Sequence, residues 1–178
     1  MLSGPCVEPS IITSKKRRAH TETMKIENYL IDPTGKNWSS LLGGWKDALP
    51  ATFTLWLVNR FGDLFVVFDD GSVHMLDVGL GVRRRLADSR DHFSKALEVG
   101  DNANTWLMIP LVNACVSAGM VPGGTTQCYG YKVAPILGGS YNVGNVVPLD
   151  LTTHYAILAN LYRQTKDLPD GTPFRTVG

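Results

Sequence analysis

An α+β fold, with an antiparallel β-meander of about four strands followed by a mostly helical part packed on it, is predicted from three features of the sequence. First, four β-rich runs follow one another closely: FTLWLVN (53–59), DLFVVF (63–68), SVHMLDV (72–78) and GVRRRLA (81–87). Second, only the short turns Arg60-Phe61-Gly62, Asp69-Asp70-Gly71 and Gly79-Leu80-Gly81 punctuate them. Consecutive strands joined so tightly pair antiparallel, because a parallel pairing needs a long crossover. Third, helical periodicities come after the strands and do not alternate with them, which separates α+β from α/β.

The elements are justified in chain order. Residues 1–23 are small, polar and basic without sustained periodicity, and are expected to be disordered or loosely attached. Met24 opens MKIENYL as a natural start would, so 1–23 reads as an upstream extension. Residues 24–87 form the first region and 88–178 the second. The pattern from Trp38 to Gly44 is irregular, and Trp45–Leu49 is expected to close a short helix stopped by Pro50. The first two strand runs are apolar on both alternating faces, which predicts a ribbon covered on both sides. In the fourth run Arg83 and Arg85 share one face, while Val82, Arg84 and Leu86 share the other. That strand is expected at an edge, where charge discourages unwanted pairing.

Asp88 or Ser89 fits the N-cap of a helix through DSRDHFSKALEV, ended by Gly100, with Phe93, Ala96 and Leu97 as its apolar stripe. Residues 102–120 are apolar nearly all round, as in a buried helix, with Gly119 at its end and Pro110 either in the first turn or at a kink. Residues 125–150 are loop-rich short extended pieces punctuated by Gly and Pro. Asp150 then caps LTTHYAILANLYRQT, whose Leu151, Tyr155, Leu158, Leu161 and Tyr162 line one face. LPDGTPF is a turn, and FRTV a candidate terminal strand.

Composition narrows the function. A hydrophobic fraction of 44% against 19% charged residues supports a sizeable core. The net charge is +1, and the four basic residues Lys15, Lys16, Arg17 and Arg18 lie in the tail against Glu8 and Glu22. The body is therefore slightly acidic, which argues against direct nucleic-acid binding, since that needs many cations on one face. No run approaches the length of a membrane span, and the N-terminus lacks the apolar stretch of a secretory signal, so a cytoplasmic location is expected. Cys6, Cys115 and Cys128 are odd in number and lack metal-ligand spacing, so neither a disulfide framework nor a metal site is expected.

Catalytic signatures of phosphate loops, dinucleotide folds, nucleophile elbows and zinc proteases are missing. His74, beside Asp69, Asp70 and Asp77, is the one place where a metal or acid–base pair can be imagined, but Asp-Gly at a hairpin turn explains the acids more simply. Cys128 and His154 form a conceivable nucleophile pair without an evident third group. Gly138-Gly139 reads as a tight turn, with close approach of backbone to a ligand as the alternative. No cofactor is expected. Tyr129, Tyr131 and Tyr141 cluster away from the core stripes, and tyrosines on a structured loop are apt protein-recognition anchors; plugging of the core is the competing reading.

Three long motifs carry a family resemblance. FTLWLVNRFGDLFVVFDDGSVHMLDVG, NANTWLMIPLV, and QCYGYKVAPILGGSYNVGNVVPLDLTTHYAILANLYRQTKDLPDGTPF are similar to bacterial type VI secretion immunity proteins. These pair a GAD-like region with a C-terminal domain formerly of unknown function, and the likeness spans roughly 38–177, with a short GAD-like part. It implies a non-enzymatic protein that binds and neutralises a cognate toxin, in the best-understood case a DNase. A nuclease groove is basic, so acidic residues of an inhibitor are expected to mimic phosphates. Asp63, Asp69, Asp70 and Asp77, on or beside the meander turns, are the candidates, together with the three tyrosines. The alternatives are a non-catalytic small-ligand or peptide-binding regulatory module using the glycine- and tyrosine-rich segment, and an enzyme with a pocket of convergent polar groups. A homodimer through the meander edge is compatible with any of these.

Overall fold

The computed structural model describes residues 25–169. The KKRR tail and the FRTV strand expectation fall outside that range. The meander is present as expected: β1 (Thr54–Val58), β2 (Leu64–Val67), β3 (Val73–Asp77) and β4 (Val82–Ala87), in the order β1-β2-β3-β4. All pairings are antiparallel, with irregularities between Leu55 and Leu57 in β1 and between Val73 and His74 in β3. β4 is an edge strand, as its arginines foretold. Each arginine has a separate use. Arg83 donates to Ala48 O and lies over the Phe68 ring, and Arg85 pairs with Asp88 at 2.8 Å. Arg84 is directed to the opposite face, opposite Met75.

Alternation along the strands builds two cores, one on each face of the sheet. Val58, Leu64, Val66 and Leu76 pack with Trp45, Leu49, Tyr155 and Leu158 on one side. Phe65, Val73 and Met75 pack with Phe93, Leu107, Val112 and Tyr129 on the other. The expected cover on both sides is thus provided by helices of both halves of the chain, since each cluster draws residues from before and after position 87.

Helices α1 (Trp38–Leu41) and α5 (Leu151–Thr165) cover the first face, with a 3-10 turn at Gly43–Trp45. The expected helix at Trp45–Leu49 is therefore replaced by this earlier α1 and 3-10 pair. Asn37 caps α1 through its side chain, a start signal masked by the irregular apolar pattern. Trp45 is fully buried and stacks on Tyr162 of α5 at 5.3 Å. The second face is covered by α2 (Arg90–Leu97), α3 (Asn102–Trp106) and α4 (Ile109–Ser117). Ser89 caps α2, accepting from His92 N.

The single buried helix expected over 102–120 is instead two. Met108 adopts φ 54°, ψ 32°, a left-handed conformation that ends α3, and Pro110 sits in the first turn of α4, where no N–H is needed. Neither helix is buried all round: α3 has no buried residue, and α4 buries only Ile109, Leu111, Val112 and Cys115.

Residues 125–150 contain a hairpin, β5 (Gln127–Tyr131) and β6 (Val146–Asp150), with its long connection held by Asn145. The Asn145 amide donates to Val133 O and Ser140 O and accepts from Val133 N. The Gly138-Gly139 turn is structural, because a side chain at Gly139 would collide with the Val133 backbone and Gly138 has φ +84°. Asp150 caps α5 by accepting from Thr152 N, matching the expected start of that helix.

Candidate functional site

The β1–β2 turn is where the site begins. Asn59 is fully buried, and its side chain closes the turn: Oδ1 accepts from Phe61 N and Asp63 N, while Nδ2 donates to Asp63 Oδ2 and Trp106 O. Asp63 Oδ1 accepts from Val78 N, so one carboxylate joins the β1–β2 and β3–β4 turns at the same end of the sheet. From the other face, α5 docks on the same turn. His154 Nε2 lies 2.9 Å from Phe61 O, and Tyr155 Oη donates to Gly62 O at 2.8 Å. A carbonyl can only accept, so His154 carries a proton on Nε2. Burial holds its pKa down to about 4 against the raising effect of that hydrogen bond.

Beside this turn lies a cavity of about 600 Å³. Asp63, Asp77, Arg84, Tyr131 and Tyr141 supply its polar and aromatic lining, and Met75, Trp106, Met108 and Leu111 contribute apolar wall. It sits between the sheet face covered by α2–α4 and the β5–β6 connection. Tyr131 stacks on Phe61 at 5.4 Å and meets Tyr141 edge-on at 5.9 Å. Burial pushes the Asp63 carboxyl well up, and nearby Asp77 raises it further against the opposing hydrogen bonds from Asn59 and Val78 and the Arg84 charge. Asp77 is also pushed up by burial, against hydrogen bonds from the turn and the charge of Arg84. Burial raises both tyrosines, which stay protonated as donors.

The seven expected contact residues are therefore divided. Asp63 and Tyr129 are interior, at 5% and 1% exposure, which corrects their placement on a recognition surface. Asp63 is a turn staple, and Tyr129 packs on Phe61 and donates to Met120 O. Nor do the four aspartates form one acidic patch. Asp69 and Asp70 are exposed at the β2–β3 turn, and a meander puts that turn at the opposite end from Asp63 and Asp77. Asp69 accepts from Thr52 Oγ1, and Asp70 accepts from Ser72 N. Tyr131, Tyr141 and Asp77 do come together, at the cavity. Arg84, Trp106 and Met108 were missed in the sequence. Arg84 had a signal, its parity opposite to Arg83 and Arg85; Trp106 and Met108 had none.

The catalytic alternatives find little support in the geometry. Ser72 is fully buried between Asp70 and His74 Nε2, and His74 stacks on Phe68 at 4.0 Å. Among the described residues no group of three or more His, Cys, Asp or Glu is placed to hold a metal. Cys128 is fully buried, with its thiol pushed far up by burial, and His154 has Nε2 committed to Phe61 O. No helix among the described residues is long and apolar enough to cross a membrane.

No curated protein matches this chain. Among solved structures, the crystal structure of Atu4351 from Agrobacterium tumefaciens is similar, at 21% identity and a TM-score of 0.44, over 68% of this chain. The alignment spans 60% of the length of that protein. The family described as T6SS immunity protein Tdi1, C-terminal, matches residues 87–162, from the end of β4 through most of α5. Over those residues this chain is similar to the T6SS immunity protein Tdi1 C-terminal family.

Proposed function

We propose that this protein is a type VI secretion immunity protein that acts in the cytoplasm by binding and neutralising a cognate antibacterial toxin, an effector of the DNase type. The family match over residues 87–162 is the observation that carries this reading. The two helix-covered cores supply the rigid scaffold an inhibitor needs, and inhibition by binding requires no catalytic constellation. Contacts are assigned to the accessible candidates. Tyr141, at 48% exposure on the cavity rim, offers a large, low-entropy anchor. Asp69 and Asp70 offer exposed negative charge to the basic groove of a nuclease.

Asp70 also organises its turn, so a charge test must spare its acceptor oxygen. The double substitution Asp69→Lys with Asp70→Asn does so while adding three units of positive charge. Loss of rim charge acts chiefly on association. Toxin affinity is expected to fall roughly tenfold at low salt, with a flatter dependence on ionic strength. Affinities of both proteins for the effector encoded beside the gene, measured at two salt concentrations, check this. Equal affinity and equal salt slope would remove Asp69 and Asp70 from the interface.

A further inference from the structure

We propose that the cavity between Asp77, Arg84, Tyr131 and Tyr141 is a binding site for an organic cation, an ammonium or amidinium-type group carried on an apolar body. The inference goes beyond toxin neutralisation and stands on the cavity alone. At about 600 Å³ its volume falls within the range of small-molecule sites, and its lining is mainly apolar with a few converging polar groups. Two carboxyls, Asp63 and Asp77, reach it from one end of the sheet. Neither belongs to an ion pair of the described residues, which are Arg85 with Asp88, His92 with Asp88, and Lys166 with Asp47.

Arg84 is the charged neighbour. It lowers the proton affinity of both carboxyls, yet it forms no ion pair within 4.0 Å and burial outweighs its effect on each. Burial favours the protonated form of both carboxyls, so a cation entering the cavity would supply the counter-charge that ionises them, which Arg84 does not. Asp63 gives one oxygen to Asn59 and the other to Val78 N, and Asp77 gives Oδ1 to Leu80 N. Each carboxylate oxygen accepts two hydrogen bonds, so capacity remains toward the cavity. Tyr131 and Tyr141 line the cavity and meet edge-on there, bringing to its wall aromatic rings of the kind that attract cations. Met75, Met108 and Leu111 suit the apolar body behind such a head.

The test uses the full chain and a matched probe pair: benzamidine, which is cationic, and benzamide, its neutral isostere. Methyl NMR of Met75 and Met108, both in the cavity wall, localises binding. Benzamidine is expected to shift both methyls and to bind at least ten times more tightly than benzamide. Asp77→Asn keeps the acceptor for Leu80 N and is expected to abolish that preference. Equal binding of the two probes to the wild-type chain, or no shift with either, would overturn the proposal without reliance on any variant. Repeating the titration on the toxin complex assigns the source of the cation. Exclusion of benzamidine points to a basic toxin side chain seated in the cavity, and undiminished binding points to a free small molecule.

Discussion

Gly62→Ala is expected to destabilise the protein by about 3 kcal/mol, lowering the melting temperature by on the order of 10 °C. Two penalties coincide there. Gly62 has φ +81°, a conformation that costs an alanine about 1–2 kcal/mol. A Cβ would also lie 2.9 Å from His154 Nε2 and 3.4 Å from Tyr155 Oη, forcing apart the contact through which α5 docks on the β1–β2 turn. Gly35 is the control: its φ is +72°, but nothing lies within 4 Å of an added Cβ. Gly35→Ala should cost only the conformational part, about 1 kcal/mol. Urea denaturation of both variants makes the comparison, and equal losses would show that the α5 contact contributes nothing.

The same contact predicts a pH dependence of similar size. His154 has a folded pKa near 4 against an ordinary value of 6.5. Between those values the unfolded chain binds a proton that the folded protein does not, so stability falls as pH falls through this window. The full effect is about 3 kcal/mol, present above pH 6.5 and lost toward pH 4. Asp63 and Asp77 work in the opposite sense. Their folded pKa values are raised, so they bind protons more readily when folded, and stability falls as pH rises above 3.8 through their folded values. His154→Gln isolates the histidine, because a glutamine amide donates to Phe61 O without titrating. The stability advantage of wild type over His154→Gln should shrink by about 3 kcal/mol from pH 7 to pH 4. An advantage that stays constant would mean the ring charges without cost.

Much of this architecture was readable from residue order. β1–β4 lie within their expected runs, because alternating apolar residues and Gly-containing turns specify strand and register together. Ser89 and Asp150 announced α2 and α5, since side-chain caps are local chemistry. The break at Met108 was not readable. A left-handed methionine is held by its surroundings, and the apolar run 106–112 gives no sign of it. The division of the candidate site has a similar origin. Asp63 and Asp69 look alike in sequence, each beside a turn. Only the fold shows that one is drawn inward by Asn59 and Val78 N while the other stays exposed. Tyr129 and Tyr131 are both on β5, with Gly130 between them, yet one fills the core and the other the cavity wall. Pocket membership depends on contacts far apart in the chain, which periodicity does not encode.

The central claim is neutralisation of a toxin, and an activity titration tests it most directly. An effector of the proposed DNase type, sought among those encoded near the gene, is purified and held at a fixed amount, and the full chain is added in increasing amounts. The account predicts that activity falls linearly to zero at one equivalent, with a complex of the two chains recovered by size exclusion. DNase activity that persists in the presence of excess folded protein would contradict it.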